Sequence, residues 1–130
     1  MYPPVKIPLT GLNRIERGAS WGPLEIFFPG DFAVWNPLGQ IRTKAGGKLL
    51  ATFGFEPIIL ADRVENGQIV GVYSRIAPFL TSVQTLAVLA TMPTNLWEYD
   101  IVLQNPDDLT QVFAVSEGPV EVSDRVTVIV

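Results

Sequence analysis

A serine in a glycine-flanked motif is the most chemically suggestive feature of this sequence. The stretch GASWG at residues 18–22 matches the Gly-x-Ser-x-Gly pattern in which hydrolases carry a nucleophilic serine. Such a serine needs a base that takes its proton and a strand-to-helix turn that exposes it. The chain has no histidine and no cysteine, and Pro23 followed by an apolar run predicts that Ser20 precedes a strand. We therefore expect that the chain is not an enzyme.

Two acidic pairs could hold a proton or a cation. Glu98 and Asp100 lie two residues apart in a predicted strand, so they share one face, where two carboxylates could share a proton or bind a cation. No other residue marks a sugar-cleaving pair, and we interpret this face as solvated. Asp107 and Asp108 follow a proline, and the chemistry of a turn accounts for them.

A glycine pair before Lys48 is similar to a phosphate-binding loop only in part. Leu49 stands where a phosphate loop has the Ser or Thr that binds magnesium, and Arg42 stands where the first glycine is needed. We expect a hairpin turn at residues 45–47. The sequence thus predicts no cofactor and no metal site.

Composition argues against two classes of partner. The net charge is −4, from 13 acidic and 9 basic residues without a basic stripe, and we expect no nucleic-acid partner. No run approaches the roughly 20 apolar residues that a membrane span needs, and we expect no membrane partner. Only 17% of the residues are charged, against about 25% in typical domains. This deficit indicates either a large core or a surface partly covered by other subunits.

The pattern of apolar residues predicts an all-β fold. Eleven glycines and eleven prolines separate short apolar runs that alternate with a period of two. The clearest strand spans residues 97–104 and turns at an Asn-Pro-Asp-Asp sequence into a returning strand at 110–116. The dipeptide at residues 66–67, Asn-Gly, predicts a type I′ turn that pairs residues 58–65 with 68–75. Further strands are predicted at residues 24–28, 38–44, 49–55, 120–122 and 126–130.

Two segments do not follow this alternation. Residues 81–90 are rich in Ala and Leu, and we expect a loop there with about one helical turn. Residues 1–13 contain Pro3, Pro4 and Pro8, which predict an extended N-terminal arm because proline cannot donate to a central ladder. Residues 14–130 are then predicted to form one Ig-like antiparallel β-sandwich domain.

Aromatic side chains are the candidate contacts with other proteins. Trp97 lies on the alternating face of its strand and is predicted to be core. Trp35 lies in an apolar loop, where it could anchor a partner or fill the core, and the same alternatives apply to Phe79 and Leu80. The candidate partner interface consists of residues from the arm and from two apolar loops: Tyr2, Pro3, Pro4, Phe32, Trp35, Phe79 and Leu80.

Several short motifs, in order, resemble those of a known family. They are an Arg-Gly at residues 17–18 before an apolar run, GQIRTKAGG at 39–47, Tyr-Asp-Ile at 99–101 and EGPVEVS at 117–123. Over residues 14–128 the chain resembles small β-sandwich proteins of tailed bacteriophages, among them the N-terminal module of the upper baseplate protein of lactococcal phages. The resemblance implies that GASWG begins the first strand.

This resemblance implies a structural role in a virion. We expect an attachment or adaptor module of the tail, baseplate or neck, assembled in the host cytoplasm with other phage virion proteins as a symmetric homo-oligomer. One alternative is a capsid decoration protein, which differs in its place in the particle. Another is a carbohydrate-binding module that recognises a host surface through Trp35 or Trp21, which would require exposed aromatic rings on one sheet face.

Overall fold

A computed structural model describes residues 4–124 of the chain. These residues form twelve strands, one short helix α1 (Ser82–Leu86) and one 3-10 turn (Gly11–Asn13), which confirms the predicted all-β class. The predicted strand at residues 126–130 lies outside the described residues. The strands are β1 (Val5–Lys6), β2 (Ile15–Arg17), β3 (Ile26–Pro29), β4 (Asn36–Arg42), β5 (Leu49–Thr52), β6 (Gly54–Phe55), β7 (Ile59–Glu65), β8 (Gln68–Ile76), β9 (Pro78–Phe79), β10 (Trp97–Asn105), β11 (Asp108–Val120) and β12 (Val122–Asp124).

The largest sheet has five strands in the order β1-β11-β10-β4-β5. Its central strand, β10, pairs antiparallel with β11 on one side and with β4 on the other. The predicted alternation along β10 is confirmed, since Tyr99, Ile101 and Leu103 are each at most 4% exposed. Glu98 and Asp100 point to the opposite, solvent-exposed face.

A second sheet, in the order β3-β8-β7, shares a core with the first. Ile26, Phe28 and Ile76 of this sheet belong to the same buried cluster as Ile41 and Leu103 of the five-stranded sheet. Two sheets around one core give the molecule its sandwich-like character. Two small sheets, β12-β2 and β6-β9, complete the described fold.

Both turns that the sequence marked with glycine are present. Asn66 and Gly67 have φ angles of 52° and 76° between β7 and β8, the two positive values that a type I′ turn requires. The segment between β4 and β5 closes with a hydrogen bond from Thr43 N to Lys48 O at 3.0 Å. The glycines before Lys48 therefore belong to a hairpin turn, as predicted.

Two predicted strands are divided between different sheets. The predicted strand at residues 49–55 separates into β5, which pairs with β4, and β6, which pairs with β9. Between them Phe53 is 5% exposed and packs in the core. The predicted strand at 120–122 separates in the same way, because Val120 ends β11 and Val122 begins β12. Periodicity cannot show where a strand changes its partner.

The GASWG segment connects β2 to β3 and does not begin the first strand, so that expectation is wrong. Gly18 and Gly22 have φ angles of 82° and 80°, a left-handed conformation that glycine adopts readily and that interrupts a ladder. Trp21 forms an isolated bridge with Leu80, and the next strand begins only at Ile26. Because the segment joins two strands, it also lacks the strand-to-helix turn of a hydrolase nucleophile.

Helix α1 provides the predicted helical turn within residues 81–90. Thr81 and Gln84 form a reciprocal capping box, in which the Thr81 hydroxyl accepts from Gln84 N and the Gln84 side chain accepts from Thr81 N. Within residues 4–124, no helix has the length and apolar character that would let it cross a membrane.

Candidate interaction surface

The described part of the predicted arm is extended up to Thr10 and ends in the 3-10 turn at Gly11–Asn13, and it packs on its own domain. Strand β1 runs parallel to β11 at the edge of the five-stranded sheet, and Leu9 forms a further bridge with Val120. Leu9 is fully buried, with its N–H donating to Pro119 O at 2.9 Å. Pro4 is half-buried ahead of β1, whereas Tyr2 and Pro3 lie outside the described residues.

The buried Tyr99 side chain links this arm to the five-stranded sheet through hydrogen bonds. The Tyr99 hydroxyl lies 2.6 Å from Ile7 O, to which it donates, and 2.7 Å from Ser116 Oγ. Burial raises the pKa of Tyr99 above its ordinary value, and this effect exceeds the opposing hydrogen bond from Ser116. The hydroxyl therefore stays protonated at neutral pH and remains a donor to the arm.

An aromatic cluster holds two of the candidate interface residues. The rings of Trp35 and Phe113 stack with centroids 5.2 Å apart and planes 7° apart, and Phe32 meets both edge to face. Phe28 joins the cluster from the core side, 5.4 Å from Phe32. The loop is fixed beneath by Ser74, whose hydroxyl accepts from Phe32 N at 2.8 Å. Phe32 and Trp35 are brought together, but they are half-buried and largely engaged with each other and with Phe113.

The other predicted pair, Phe79 and Leu80, packs against residues of its own domain. Leu80 is 1% exposed and exchanges backbone hydrogen bonds with Trp21, so its assignment to a partner surface is wrong. The reason is that the chain after Pro78 turns inward and places Leu80 in the core. Phe79 is half-buried, and its ring packs against Gly54, where an added Cβ would lie 2.7 Å from the ring.

The acidic pair of β10 lies on a polar sheet face. The register places Glu117 opposite Asp100, and Lys6 forms an ion pair with Glu117. Glu98 accepts a hydrogen bond from Ala45 N at 2.9 Å and so holds the turn between β4 and β5. No group of three potential metal ligands is present in the described part of the chain. These contacts fit the solvated face predicted from the sequence.

The turn after β10 also explains its aspartates. Asp108 Oδ1 accepts from both the hydroxyl and the N–H of Thr110, at 2.6 and 3.1 Å. These bonds lower the pKa of Asp108. Asp107 N donates to Asn105 Oδ1 at 2.9 Å, which is the local side-chain-to-backbone bonding of an Asx turn.

A shallow cleft of about 320 Å³ lies beside the GASWG segment. Ser20 is exposed on its wall, and an ion pair between Arg14 and Glu16 forms another part of the lining. Trp21 also borders the cleft but is 8% exposed, with its indole N–H donating to Asn13 O at 2.9 Å. The indole is therefore a structural element here and has little free ring surface.

The hairpin of β7 and β8, which we call the β7–β8 hairpin, exposes several apolar side chains. Every residue from 64 to 71 is exposed, which shows that both faces of its distal part are uncovered. Five aliphatic side chains contribute. They are Ile59, Leu60, Val64, Ile69 and Val70, with exposures of 55, 39, 57, 67 and 49%. Isolated exposed aliphatic residues are ordinary, but a group of five on one hairpin is a candidate interaction surface.

Sequence reasoning predicted this hairpin but missed its exposure. The missed signal is the Ile-Val pair at residues 69–70, because adjacent aliphatic residues in a strand point to opposite faces. A β-bulge between Arg63 and Val64 makes Val70 the extra residue in β8. How far a hairpin extends beyond the core depends on the whole fold, so periodicity alone cannot show this exposure.

Comparison with known proteins adds no relative. No family model matches the chain, and no curated protein matches it.

Proposed function

We propose that this chain is a structural, non-catalytic module of a tailed-phage virion. It would attach to other virion subunits in the tail, baseplate or neck and would be present in several symmetric copies. The ordered motifs described above support the phage assignment, and an Ig-like strand arrangement is part of the same proposal.

The observation that carries this proposal is the exposed apolar β7–β8 hairpin. Val64 and Ile69 oppose each other on it and are 57 and 67% exposed. A two-stranded hairpin without a covered face is marginally stable in water, so contact with another protein would stabilise it. Repeated copies would let modest contacts of this kind hold an assembly together.

A carbohydrate-binding function has less support from the geometry. A sugar platform needs an open aromatic face, but Trp21 is 8% exposed and Trp35 has one face stacked on Phe113. A capsid decoration protein would use the same kind of surface as a tail module. Position in the particle alone distinguishes those two structural roles.

The test is to find the protein in virions. Particles produced by cells that carry this gene would be purified and labelled with an antibody raised against the purified chain. We expect label at the tail end or neck in negative-stain micrographs. Label over the head would favour the decoration alternative, and absence of the chain from purified particles would overturn the proposal.

A further inference from the structure

The terminal strand of the second sheet has one unused side. In the order β3-β8-β7, β7 pairs with β8 and has no neighbouring strand on its other side within residues 4–124. Alternate N–H and C=O groups of such an edge strand point outward and can pair with another chain. Proline and charged side chains commonly protect edge strands, and the β7 sequence ILADRVE has no proline but carries Asp62, Arg63 and Glu65. Strand β7 can thus accept a partner strand that supplies the opposite charges.

The apolar side chains of the hairpin lie on a defined face. Leu60 opposes Ser74, which is fully buried, so this face of β7 is the one that points toward the core. Val64 lies on the same face of β7, four residues further along, and Ile69 lies opposite Val64. Asp62 lies between Leu60 and Val64 on this face, so Val64 and Ile69 form a separate apolar pair beyond the sandwich, and no described residue covers them.

We propose that a second copy of this chain pairs with β7, with the two β7 strands antiparallel about a two-fold axis at Val64. The inference rests on the self-association contained in the proposed function, and it adds the surface and the register. Because β7 ends at Glu65, the two strands would pair over residues 63–65, and the joined sheet would have the order β8-β7-β7-β8 there. An isologous interface of this kind is the commonest way to build a symmetric dimer.

Charge complementarity selects this register. The core-facing side chains of both copies lie on one face of the joined sheet only if the two-fold axis passes at the level of a residue. A shift by one residue would exchange the two faces of a strand. Axes at Asp62, Arg63 or Glu65 place two identical charges directly opposite each other, which destabilises a sheet. Axes at residues 59–61 place Arg63 opposite an apolar residue. An axis at Val64 places Arg63 of each copy opposite Glu65 of the other copy.

The Glu65 side chain leaves room for a second contact. Arg63 and Glu65 of one chain form an ion pair at 3.0 Å, and the Glu65 side chain is still 57% exposed. The carboxylate can therefore accept a second guanidinium from the other copy, since arginine offers several donors in a planar fork. On the core-facing side, Ile69 and Val64 of one copy would continue into Val64 and Ile69 of the other, an uninterrupted apolar row across four strands.

The first experiment measures mass in solution. Light scattering of the full chain at increasing concentration should show the mass rise from 14.3 kDa to about twice that value. A Glu65→Arg variant places arginines opposite each other and should raise the dimer dissociation constant about tenfold or more. The double variant Arg63→Glu with Glu65→Arg exchanges the charges and should restore the dimer. A chain that stays monomeric at all concentrations would overturn the inference.

A matched control separates pairing from folding. Arg14, just before β2, and Glu16, within it, form an ion pair of the same spacing and the same 3.0 Å length, away from the hairpin. Glu16→Arg should leave the dimer constant unchanged. If Glu16→Arg and Glu65→Arg weaken the dimer equally, or if neither does so, the association uses another surface and this inference is wrong.

A cysteine scan tests the register directly, because the natural chain has no cysteine. Opposed residues of antiparallel strands have Cα atoms about 4.5–5.5 Å apart, within reach of a disulfide. Val64→Cys should form a disulfide-linked dimer in oxidised glutathione, whereas Asp62→Cys should not, because its copy lies four residues away along the strands. Efficient cross-linking through position 62 and not 64 would refute the proposed axis.

The outcomes separate this inference from the proposed function. If the chain labels virion tails but the hairpin variants leave its mass unchanged, the pairing fails and the virion role stands. If the hairpin variants control dimerisation but the chain is absent from particles, the pairing stands and the virion role fails.

Discussion

A single hydroxyl connects the N-terminal segment to the centre of the largest sheet. Tyr99 donates to Ile7 O at 2.6 Å and accepts from Ser116 Oγ at 2.7 Å. We expect Tyr99→Phe to lower the free energy of unfolding by about 1–3 kcal/mol, because it leaves buried polar groups unpaired. Chemical denaturation measures this change. Tyr73→Phe is the matched control, since its ring packs against Phe27 and its hydroxyl makes no hydrogen bond within residues 4–124, and an equal loss there would contradict the explanation.

The same hydroxyl predicts a pH dependence. Burial raises the folded-state pKa of Tyr99 above the ordinary value of about 10, so the unfolded chain loses this proton first as pH rises. The resulting stability is present below that ordinary value and is lost as pH rises through the folded-state pKa. Tyrosinate absorbance of the folded protein should show one late titration that Tyr99→Phe removes. A Tyr99 titration at or below the ordinary value would contradict this assignment.

Among the elements, the parallel pairing of β1 with β11 requires one small residue. Gly118 lies beneath the arm, and a Cβ there would be 2.7 Å from the backbone oxygen of Ile7. Gly118→Ala should displace the arm and destabilise the fold by about 1–3 kcal/mol. Hydrogen exchange at the Leu9 amide, which bonds to Pro119 O, should accelerate. Ala114→Ser, at an exposed position of the same strand, should leave that exchange unchanged, and a similar acceleration there would rule out the steric cause.

Element type could be predicted from this sequence more reliably than element partners. The alternation around Tyr99 and the Asn-Gly turn are local signals, and both were confirmed because a strand's faces and a turn's φ angles depend on neighbouring residues. The division of residues 49–55 between two sheets, and the bridge from Trp21 to Leu80, arise from contacts between distant segments. Such contacts leave no periodic trace in the sequence.

At the scale of the whole molecule, the candidate interface also depends on contacts between distant segments, which local sequence signals do not show. Phe32 and Trp35 were singled out as large aromatics in a loop, but Phe113 from a distant strand occupies one face of Trp35. Leu80 was named as a candidate interface residue, but its side chain is buried. The β7–β8 hairpin shows the reverse, since its aliphatic residues fit a core strand by pattern and lie in solvent. Burial is a property of the assembled sheets, so residue type alone cannot assign it.

The whole molecule unfolds as one unit if the arm belongs to its core. Leu9 is fully buried, whereas Val5 on the same arm is 45% exposed. We expect Leu9→Ala to destabilise the fold by about 2–5 kcal/mol, because it removes buried methyl groups and leaves a cavity beside Val120. Val5→Ala should change stability by no more than about 0.5 kcal/mol. Denaturation followed by tryptophan fluorescence and by circular dichroism should give coincident transitions for both variants. If Leu9→Ala were as mild as Val5→Ala, the arm would be a detachable segment, and the sandwich would begin after residue 13.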